Sequence, residues 1–190
     1  MKPVRTFVAV ELTPEIRGRA HQLISVLRRV VADVRWSPPE NMHLTLKFLG
    51  DIEVLEIPRI CQAVSQAVAD LSPFGIEVQG AGAFPDAERP RTVWLGVGEG
   101  TDALTEVHER LEAALAPLGF REEGRRFRPH LTLGRVRDSE AGSRFAQTLA
   151  EHAEFFAGEM IVGEVTIFSS ELSRSGSKYE VLGHADFGGE

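Results

Sequence analysis

The tetrapeptide His-Leu-Thr-Leu occurs twice in the sequence, within NMHLTLKFLG (residues 41–50) and within RPHLTLGRV (residues 128–136). Polar and apolar residues alternate in both stretches, which is typical of β-strands because alternate side chains share one face. His43 and Thr45 are therefore expected on one face of the first strand. His130 and Thr132 are expected on one face of the second, with the leucines of both strands facing the opposite way.

The order of elements around these strands repeats at a nearly constant offset. Arg5-Thr6 recurs as Arg91-Thr92 (91 − 5 = 86 residues), and His43 recurs as His130 (130 − 43 = 87 residues). A shared order at a shared offset indicates duplication. We predict one bilobal domain over residues 1–190, with repeats over approximately 4–88 and 90–175 and a closing strand over 176–187.

The predicted fold class is α+β, with antiparallel sheets facing a central cleft and helices outside. Strands are expected over 4–12, 43–50, 75–82, 91–97, 130–136, 160–170 and 177–184, and helices over 16–30, 58–71, 101–115 and 139–152. A pseudo-two-fold axis between the two halves would bring equivalent positions together. Two histidines and two threonines would then face each other across one cleft.

Bulk composition limits the class of protein. The net charge is −7, from 28 acidic and 21 basic residues, whereas a protein that coats long nucleic acid is usually basic. An RNA substrate would therefore contact only a local basic cleft, at an RNA end. No apolar run approaches the length of a membrane span, and the single cysteine, Cys61, suits a reducing cytosol. We expect a cytoplasmic protein.

Two facing imidazoles suit acid–base chemistry, because the ordinary histidine pKa near 6.5 allows both protonation states around neutral pH. One ring can activate water while the other protonates a leaving oxygen, and threonine hydroxyls can donate to the oxygens of an anion. These groups suit displacement at phosphorus. A 2′,3′-cyclic phosphate is a natural substrate, since its strained ring opens without a metal.

Metal and nucleotide-cofactor sites are the rival interpretations. The sequence has no H-E-x-x-H motif, no paired cysteines and no acidic residue spaced with His43 or His130 to complete a ligand set. The glycines of LGVGEG (residues 95–100) are one residue short of a dinucleotide-binding motif and indicate a turn instead. We predict neither metal nor cofactor.

The other histidines receive no functional role. His21 and His108 match each other in the repeat, but they lie on predicted helices amid core-like spacing and are expected to be structural or exposed. His152 and His184 have no partner that the sequence identifies.

PENMHLTLKFLG (residues 39–50) and RPHLTLGR (residues 128–135) resemble the paired H-x-T-x motifs of the 2H phosphoesterases, most closely the RNA 2′,3′-cyclic phosphodiesterases once called 2′-5′ RNA ligases. The likeness extends from RTFVAVEL (residues 5–12) through WSPP (residues 36–39) and VWLGV (residues 93–97) to the C-terminal strand. It implies the duplicated two-lobe 2H phosphoesterase-like fold and metal-independent hydrolysis of RNA 2′,3′-cyclic phosphate ends to 2′-phosphomonoesters. We expect a monomer.

The same resemblance implies roles for individual residues. His43 would be the proton donor to the leaving oxygen, and His130 the proton acceptor that activates water. Thr45 and Thr132 match phosphate-contacting positions. Arg135 matches a basic phosphate-binding position, although simple alternation places it on the face opposite His130, so that a twist or bulge would have to re-aim it.

Other candidates for substrate binding come from strand alternation and from the repeat. Lys47 is expected on the face of the first motif histidine, and Arg128 on that of the second. Arg5 and Arg91 could flank the cleft from neighbouring strands. Trp36 could stack on a base or pack its own loop.

Phe48 and Phe127 are also aromatic residues close to the motifs. Both could stack on a base, but alternation favours a place in the core for each.

Two alternatives to RNA-end hydrolysis remain open at this stage. The enzyme could act on small cyclic nucleotides or ADP-ribose cyclic phosphate, or the chain could be a non-catalytic module that binds RNA ends. The loops at residues 36–41 and 84–90 would decide the substrate.

Overall fold

The computed structural model describes residues 3–31, 33–137, 142–173 and 176–189. The strands are β1 (Val4–Glu11), β2 (Val34–Trp36), β3 (His43–Ile52), β4 (Phe74–Phe84), β5 (Thr92–Val97), β6 (His130–Val136), β7 (Phe156–Val162), β8 (Glu164–Ser173) and β9 (Gly176–Asp186). The helices are α1 (Pro14–Leu27), α2 (Ile57–Val68), α3 (Thr101–Leu115) and α4 (Gly142–Glu151). None of these helices is long and apolar enough to cross a bilayer.

The nine strands form one antiparallel sheet in the order β7-β4-β5-β6-β3-β1-β8-β9, and β2 pairs with β6. At its centre, β3 and β6 are paired through Leu44 and Leu131. The predicted α+β class is confirmed, and the two predicted sheets are joined into one by this central pair.

The strand order is symmetric about the β3–β6 pair. When β3 is exchanged with β6, β1 with β5, β4 with β8 and β7 with β9, the same strand order is obtained, read from the other end of the sheet. β4 belongs to the first half of the sequence but pairs with β5, and β8 belongs to the second half but pairs with β1. Each lobe therefore contains a strand from the other half, and the lobes do not coincide with the two halves of the chain. The strand order supports the predicted duplication, which stays a prediction.

The helices cover the face of the sheet opposite the cleft, and the main core lies between these two layers. α1 begins as its sequence predicts. The Thr13 hydroxyl caps it by accepting a hydrogen bond from the Ile16 amide at 3.4 Å, and Pro14 takes the first helical position. The helix ends at Leu27, one turn earlier than predicted.

The predicted strand over residues 160–170 is wrong. The structure has two strands there, β7 and β8, with Gly163 between them. β7 pairs with β4 and β8 pairs with β1, so the chain crosses from one end of the sheet to the other side of the cleft at this glycine. The short strand β2 was not predicted. Residues 139–141 of the predicted fourth helix lie outside the described residues.

Candidate active site

The central strand pair fixes the orientation of both motifs. Leu44 and Leu131 are partners in the antiparallel register, and both are buried in the core beneath the sheet. Because alternate residues of a strand face opposite ways, the polar residues of both motifs lie on the other face. The expectation that the two motifs share one face is confirmed.

Extending this register by one residue in each direction places His43 opposite Thr132 and His130 opposite Thr45. All four side chains are half-buried. The two histidines are thus diagonal neighbours, a relation that separates residues by about 7–8 Å in a regular antiparallel pair. A spacing of this size between the two strand positions is compatible with a phosphate bound between them.

His43 lies in an aromatic environment. Its ring is 4.8 Å from that of Phe7 and 5.2 Å from that of Tyr179, between centroids, and Phe168 lies 6.2 Å away. Burial lowers the pKa of His43 to about 4, against the opposing effect of a hydrogen bond to the backbone of Asn41. The free protein therefore holds His43 neutral at pH 7.

Asn41 is itself fixed by a long-range contact. Its side-chain amide donates a hydrogen bond to the carbonyl of Ser177 at the start of β9, at 2.7 Å. The residue that bonds to the His43 ring is thereby tied to the closing strand.

His130 is held by the backbone before its own strand. Its Nδ1 lies 2.7 Å from the carbonyl oxygen of Arg128, and since a carbonyl can only accept, Nδ1 carries the proton. This bond leaves Nε2 as the nitrogen available for chemistry. The ring of Phe84 contacts that of His130 edge-on at 5.2 Å between centroids.

A β-bulge in β3 overturns the prediction for Lys47. Val8 pairs with Lys47 and Ala9 with Thr45, so Leu46 is an extra residue. Leu46 and Lys47 are consecutive buried residues, and Lys47 is 2% exposed beneath the sheet. The prediction that Lys47 shares the motif face was wrong because the bulge breaks simple alternation.

The same bulge moves Phe48 to the cleft face. Phe48 pairs with Phe7 and is 61% exposed, so the prediction that it belongs to the core was wrong. Phe127 is half-buried and packs against the main core, which agrees with its prediction.

An equivalent bulge in β6 re-aims Arg135. Val93 pairs with Gly134 and Trp94 with Thr132, which leaves Leu133 as the extra residue. Arg135 consequently opens into the cavity that His43 lines, as the possible bulge predicted. A side chain at Gly134 would meet Val34 and Trp36, since an added Cβ would lie 2.7 and 2.8 Å from their atoms.

The cavity in front of His43 has a volume of about 1320 Å³. Thr132, Phe168 and Tyr179 line it as well. Its basic lining residues are Arg5, Arg17, Arg35, Arg135 and Lys178. Glu11, Glu40 and Glu171 line it too, so the lining residues carry a net charge of 5 − 3 = +2, in contrast to the acidic chain as a whole.

Of the remaining candidates for substrate binding, some line this cavity and others do not. Trp36 and Arg5 line it, and Arg5 also lies 3.5 Å from Asp51 in an exposed ion pair. Arg91 precedes β5 and Arg128 precedes β6; both are exposed, and neither lines the cavity. His130 and Thr45 do not line this cavity either, so the expectation that Arg91 flanks the cleft stays a prediction, and the contact of Arg128 with the site is made by its carbonyl.

Sequence reasoning missed Arg35 and the aromatic environment of His43. Arg35 lies on β2 directly across from Arg135, and β2 was too short to be predicted. The position of Phe7 could have been predicted. Phe7 and Ala9 alternate along β1 with Val8 and Val10, which belong to the main core, and so they face the cleft side of the sheet. Tyr179 could not, since no local pattern shows that β9 lies near β3.

A group of polar residues begins at Glu11, which is paired with His43 between β1 and β3 and lines the cavity. Ligand-type atoms of Glu11, Glu164 and His184 lie within 4.8 Å of one another. His184 Nδ1 is 3.2 Å from the Thr166 hydroxyl and 3.8 Å from Glu164, so His184 has partners that the sequence did not identify. The expected absence of a metal stays a prediction.

An antiparallel sheet that turns two H-x-T motifs towards one cleft is the arrangement of a two-histidine phosphoesterase. The sequence profile of the family described as the 2′-5′ RNA ligase superfamily matches residues 20–174. An RNA 2′,3′-cyclic phosphodiesterase of Methanothermobacter thermautotrophicus is 36% identical over 176 residues, which are 93% of this chain and 95% of that protein. One from Thermotoga maritima is 35% identical and covers 98% of this chain and 97% of its own length.

A solved structure of similar fold is E. coli LigT complexed with 3′-AMP. It has a TM-score of 0.79 and 25% identity, and the match covers 97% of this chain and 98% of that one. The chain belongs to the 2′-5′ RNA ligase superfamily, and the predicted family is confirmed.

Proposed function

We propose that this protein hydrolyses RNA 2′,3′-cyclic phosphate ends to 2′-phosphomonoesters, with His43 and His130 as its acid–base pair. The observation that carries the proposal is the β3–β6 register, in which Leu44 is paired with Leu131 and both imidazoles share the cleft face. Cyclic-phosphate hydrolysis agrees with the name that the curated relatives carry.

In the proposed reaction, His130 Nε2 takes a proton from a water molecule as the water oxygen attacks phosphorus. The bond from phosphorus to the 3′ oxygen breaks, and His43 gives its proton to that oxygen. The product keeps the phosphate on the 2′ oxygen. Thr45, Thr132 and Arg135 donate hydrogen bonds to the non-bridging oxygens, where negative charge develops.

His43 has to gain a proton from solvent when the substrate binds. Burial lowers the pKa of His43 to about 4, so the ring is neutral in the free protein at pH 7. A nearby negative charge favours the imidazolium form, and the cyclic phosphate is an anion. Substrate binding thus supplies the charge that makes His43 a proton donor, and the free protein takes up a proton as it binds.

The size and charge of the cavity favour an RNA end over a small cyclic nucleotide. Its volume of about 1320 Å³ exceeds the roughly 300–1,000 Å³ of typical small-molecule pockets. Arg5 and Lys178 line it besides Arg135, so more than one phosphate can be contacted. The complex of the related E. coli LigT with 3′-AMP supports a nucleotide next to the catalytic phosphate.

The test offers an oligonucleotide ending in a 2′,3′-cyclic phosphate, with chelator present, and identifies the product isomer. A 2′-monoester formed without added metal supports the proposal. A strict metal requirement, a 3′-monoester or binding without turnover contradicts it. The same assay with a mononucleoside 2′,3′-cyclic phosphate separates RNA ends from small cyclic nucleotides through the ratio of the two kcat/KM values.

A further inference from the structure

Lys47 is buried beneath the sheet, on the side away from the cleft. It is 2% exposed, and lysine is almost never fully buried unless it is paired. Its Nζ lies 2.7 Å from Glu112 Oε1 on α3 and donates a hydrogen bond to the carbonyl of Arg121 at 2.6 Å. One charged group thus joins the bulge of β3 to a helix and to the chain that follows that helix.

Glu112 and His108 continue these contacts from the same helix. Glu112 Oε2 accepts a hydrogen bond from the Glu123 amide at 3.2 Å. His108 Nδ1 lies 2.7 Å from the carbonyl of Leu46, and its ring stacks on Phe127 at 4.2 Å and 7°. Lys47, Glu112 and His108 are all buried, and we call these three residues the buried clamp.

The contacts converge on residues 119–129, a segment that forms neither helix nor strand and leads directly into β6. The buried clamp holds it at Arg121, Glu123 and Phe127. The next residue, Arg128, supplies the carbonyl to which the His130 ring is bonded. A continuous set of contacts therefore runs from the β3 bulge, next to the first motif, to the group that orients the second histidine.

Lys47 and Glu112 form hydrogen bonds with the backbone of the segment. This distinguishes the buried clamp from a buried ion pair that only contributes to stability. Apolar residues of similar volume often replace a buried ion pair with no loss of stability, but they cannot bond to the Arg121 carbonyl or the Glu123 amide. The position equivalent to Lys47 in the second motif is Gly134, so only the first motif carries this connection.

We propose that Lys47, Glu112 and His108 are positioning residues, which hold the 119–129 segment so that His130 keeps its orientation towards the cleft. The inference rests on the proposed function, in which His130 is the base. It assigns a task in the reaction to three buried polar side chains that do not reach the substrate.

The decisive comparison is between Lys47→Met and the double variant Lys47→Met/Glu112→Leu. The single variant leaves a buried carboxylate unpaired, so both its Tm and its kcat fall. The double variant removes both charges and has a higher Tm than the single variant, while its kcat stays at least tenfold below the parent and KM changes little. If kcat recovers together with Tm, the clamp is merely structural and the proposal is wrong.

The nitrogen shifts of the histidine rings provide a readout that needs no substrate. In ¹⁵N spectra His130 should carry its proton on Nδ1 in the parent and become a mixture of tautomers in the double variant, while His43 stays unchanged as an internal reference. An unchanged His130 would overturn the inference. This readout also separates it from the proposed function, because it remains decisive if the parent shows no turnover.

Two further variants guard against simple loss of folding. Val107→Ala removes buried volume from the same helix but leaves the hydrogen bonds of the buried clamp in place, and should lower Tm with kcat unchanged. Phe127→Leu loosens the half-buried end of the segment and should lower kcat in the same direction as the double variant. A loss of kcat in Val107→Ala equal to that in Phe127→Leu would contradict a specific positioning role.

Discussion

The two motif strands carry the same four residues in different surroundings. His43 is packed among Phe7, Phe168 and Tyr179, and burial lowers its pKa to about 4. His130 contacts the ring of Phe84 and has a hydrogen bond to the backbone. The backbone repeats while the environment does not, and it is the burial of His43 among aromatic rings that disfavours its charged form.

The positions just beyond the two bulges differ in the same manner. The first motif continues with buried Lys47 and exposed Phe48, and the second with Gly134 and Arg135. Both bulges turn the last residue of each pair towards the cleft. The equivalent positions therefore offer a phenyl ring in one motif and a guanidinium in the other, and of these two side chains Arg135 lines the cavity in front of His43.

The largest expected effects come from the imidazoles. His43→Ala and His130→Ala should each lower kcat about 10²–10⁴-fold, the usual contribution of a general acid or base. Turnover of an oligonucleotide 2′,3′-cyclic phosphate measures this, with exposed His21→Ala on α1 as the matched control. Near-full activity in either motif variant, with folding intact, would mean that the two halves do not act as a pair.

Arg135 and Phe48, the residues just beyond the two bulges, are expected to differ in their contribution to phosphate binding. Arg135→Gln removes a charge-assisted hydrogen bond worth roughly 1.5–3 kcal/mol, which corresponds to about a ten- to hundredfold loss in kcat/KM. Inhibition by inorganic phosphate should weaken in parallel. Phe48→Leu, at the equivalent position, should leave phosphate inhibition unchanged, and equal weakening by both variants would refute the proposed difference between Arg135 and Phe48.

How far the sequence could predict this molecule depends on how local each signal is. The strand character of both motifs, the cap at Thr13 and the duplication pattern are local or periodic, and they led to the correct fold class. The four motif side chains followed from alternation. Lys47 and Phe48 were misplaced because a bulge shifts alternation by one residue, and nothing in NMHLTLKFLG marks where that shift falls.

Long-range neighbours were beyond prediction for a different reason. Tyr179 and Ser177 reach the first motif through the pairing of β9 with β8 and of β8 with β1, which no local pattern specifies. Glu112 becomes the partner of Lys47 only once α3 packs beneath β3. The chemistry of the pair could be predicted, but the environment that adjusts the His43 pKa could not.

The threonines should show smaller effects than Arg135, because each contributes one neutral donor. Thr45→Val and Thr132→Val keep the shape of the side chain and remove the hydroxyl, and each should lower kcat/KM about tenfold. Serine at either position keeps the hydroxyl, so Thr45→Ser and Thr132→Ser should retain most of the parent kcat/KM. Steady-state kinetics decide the matter, and a loss as large as that of the histidine variants would show that a threonine does more than bind phosphate.

The smallest expected effect is a change in the pKa of His43. Tyr179→Ala removes a ring that shields His43 from water, so the pKa should rise from about 4 towards its ordinary value near 6.5. Titration of the His43 ring by NMR measures this directly. A His43 pKa that stays near 4 in Tyr179→Ala would show that shielding by this ring is not what lowers it.

The same shift predicts how stability depends on pH. The unfolded chain protonates this histidine below about 6.5, whereas the folded protein does so only near 4. Between these values the unfolded state binds more protons, so the free energy of unfolding decreases as the pH falls, by at most about 3 kcal/mol. Urea titrations from pH 7 to 4 should show this loss in the parent, less of it in Tyr179→Ala, and none of the His43 contribution in His43→Gln. An identical pH dependence in all three would place the asymmetry of the two halves somewhere other than the burial of His43.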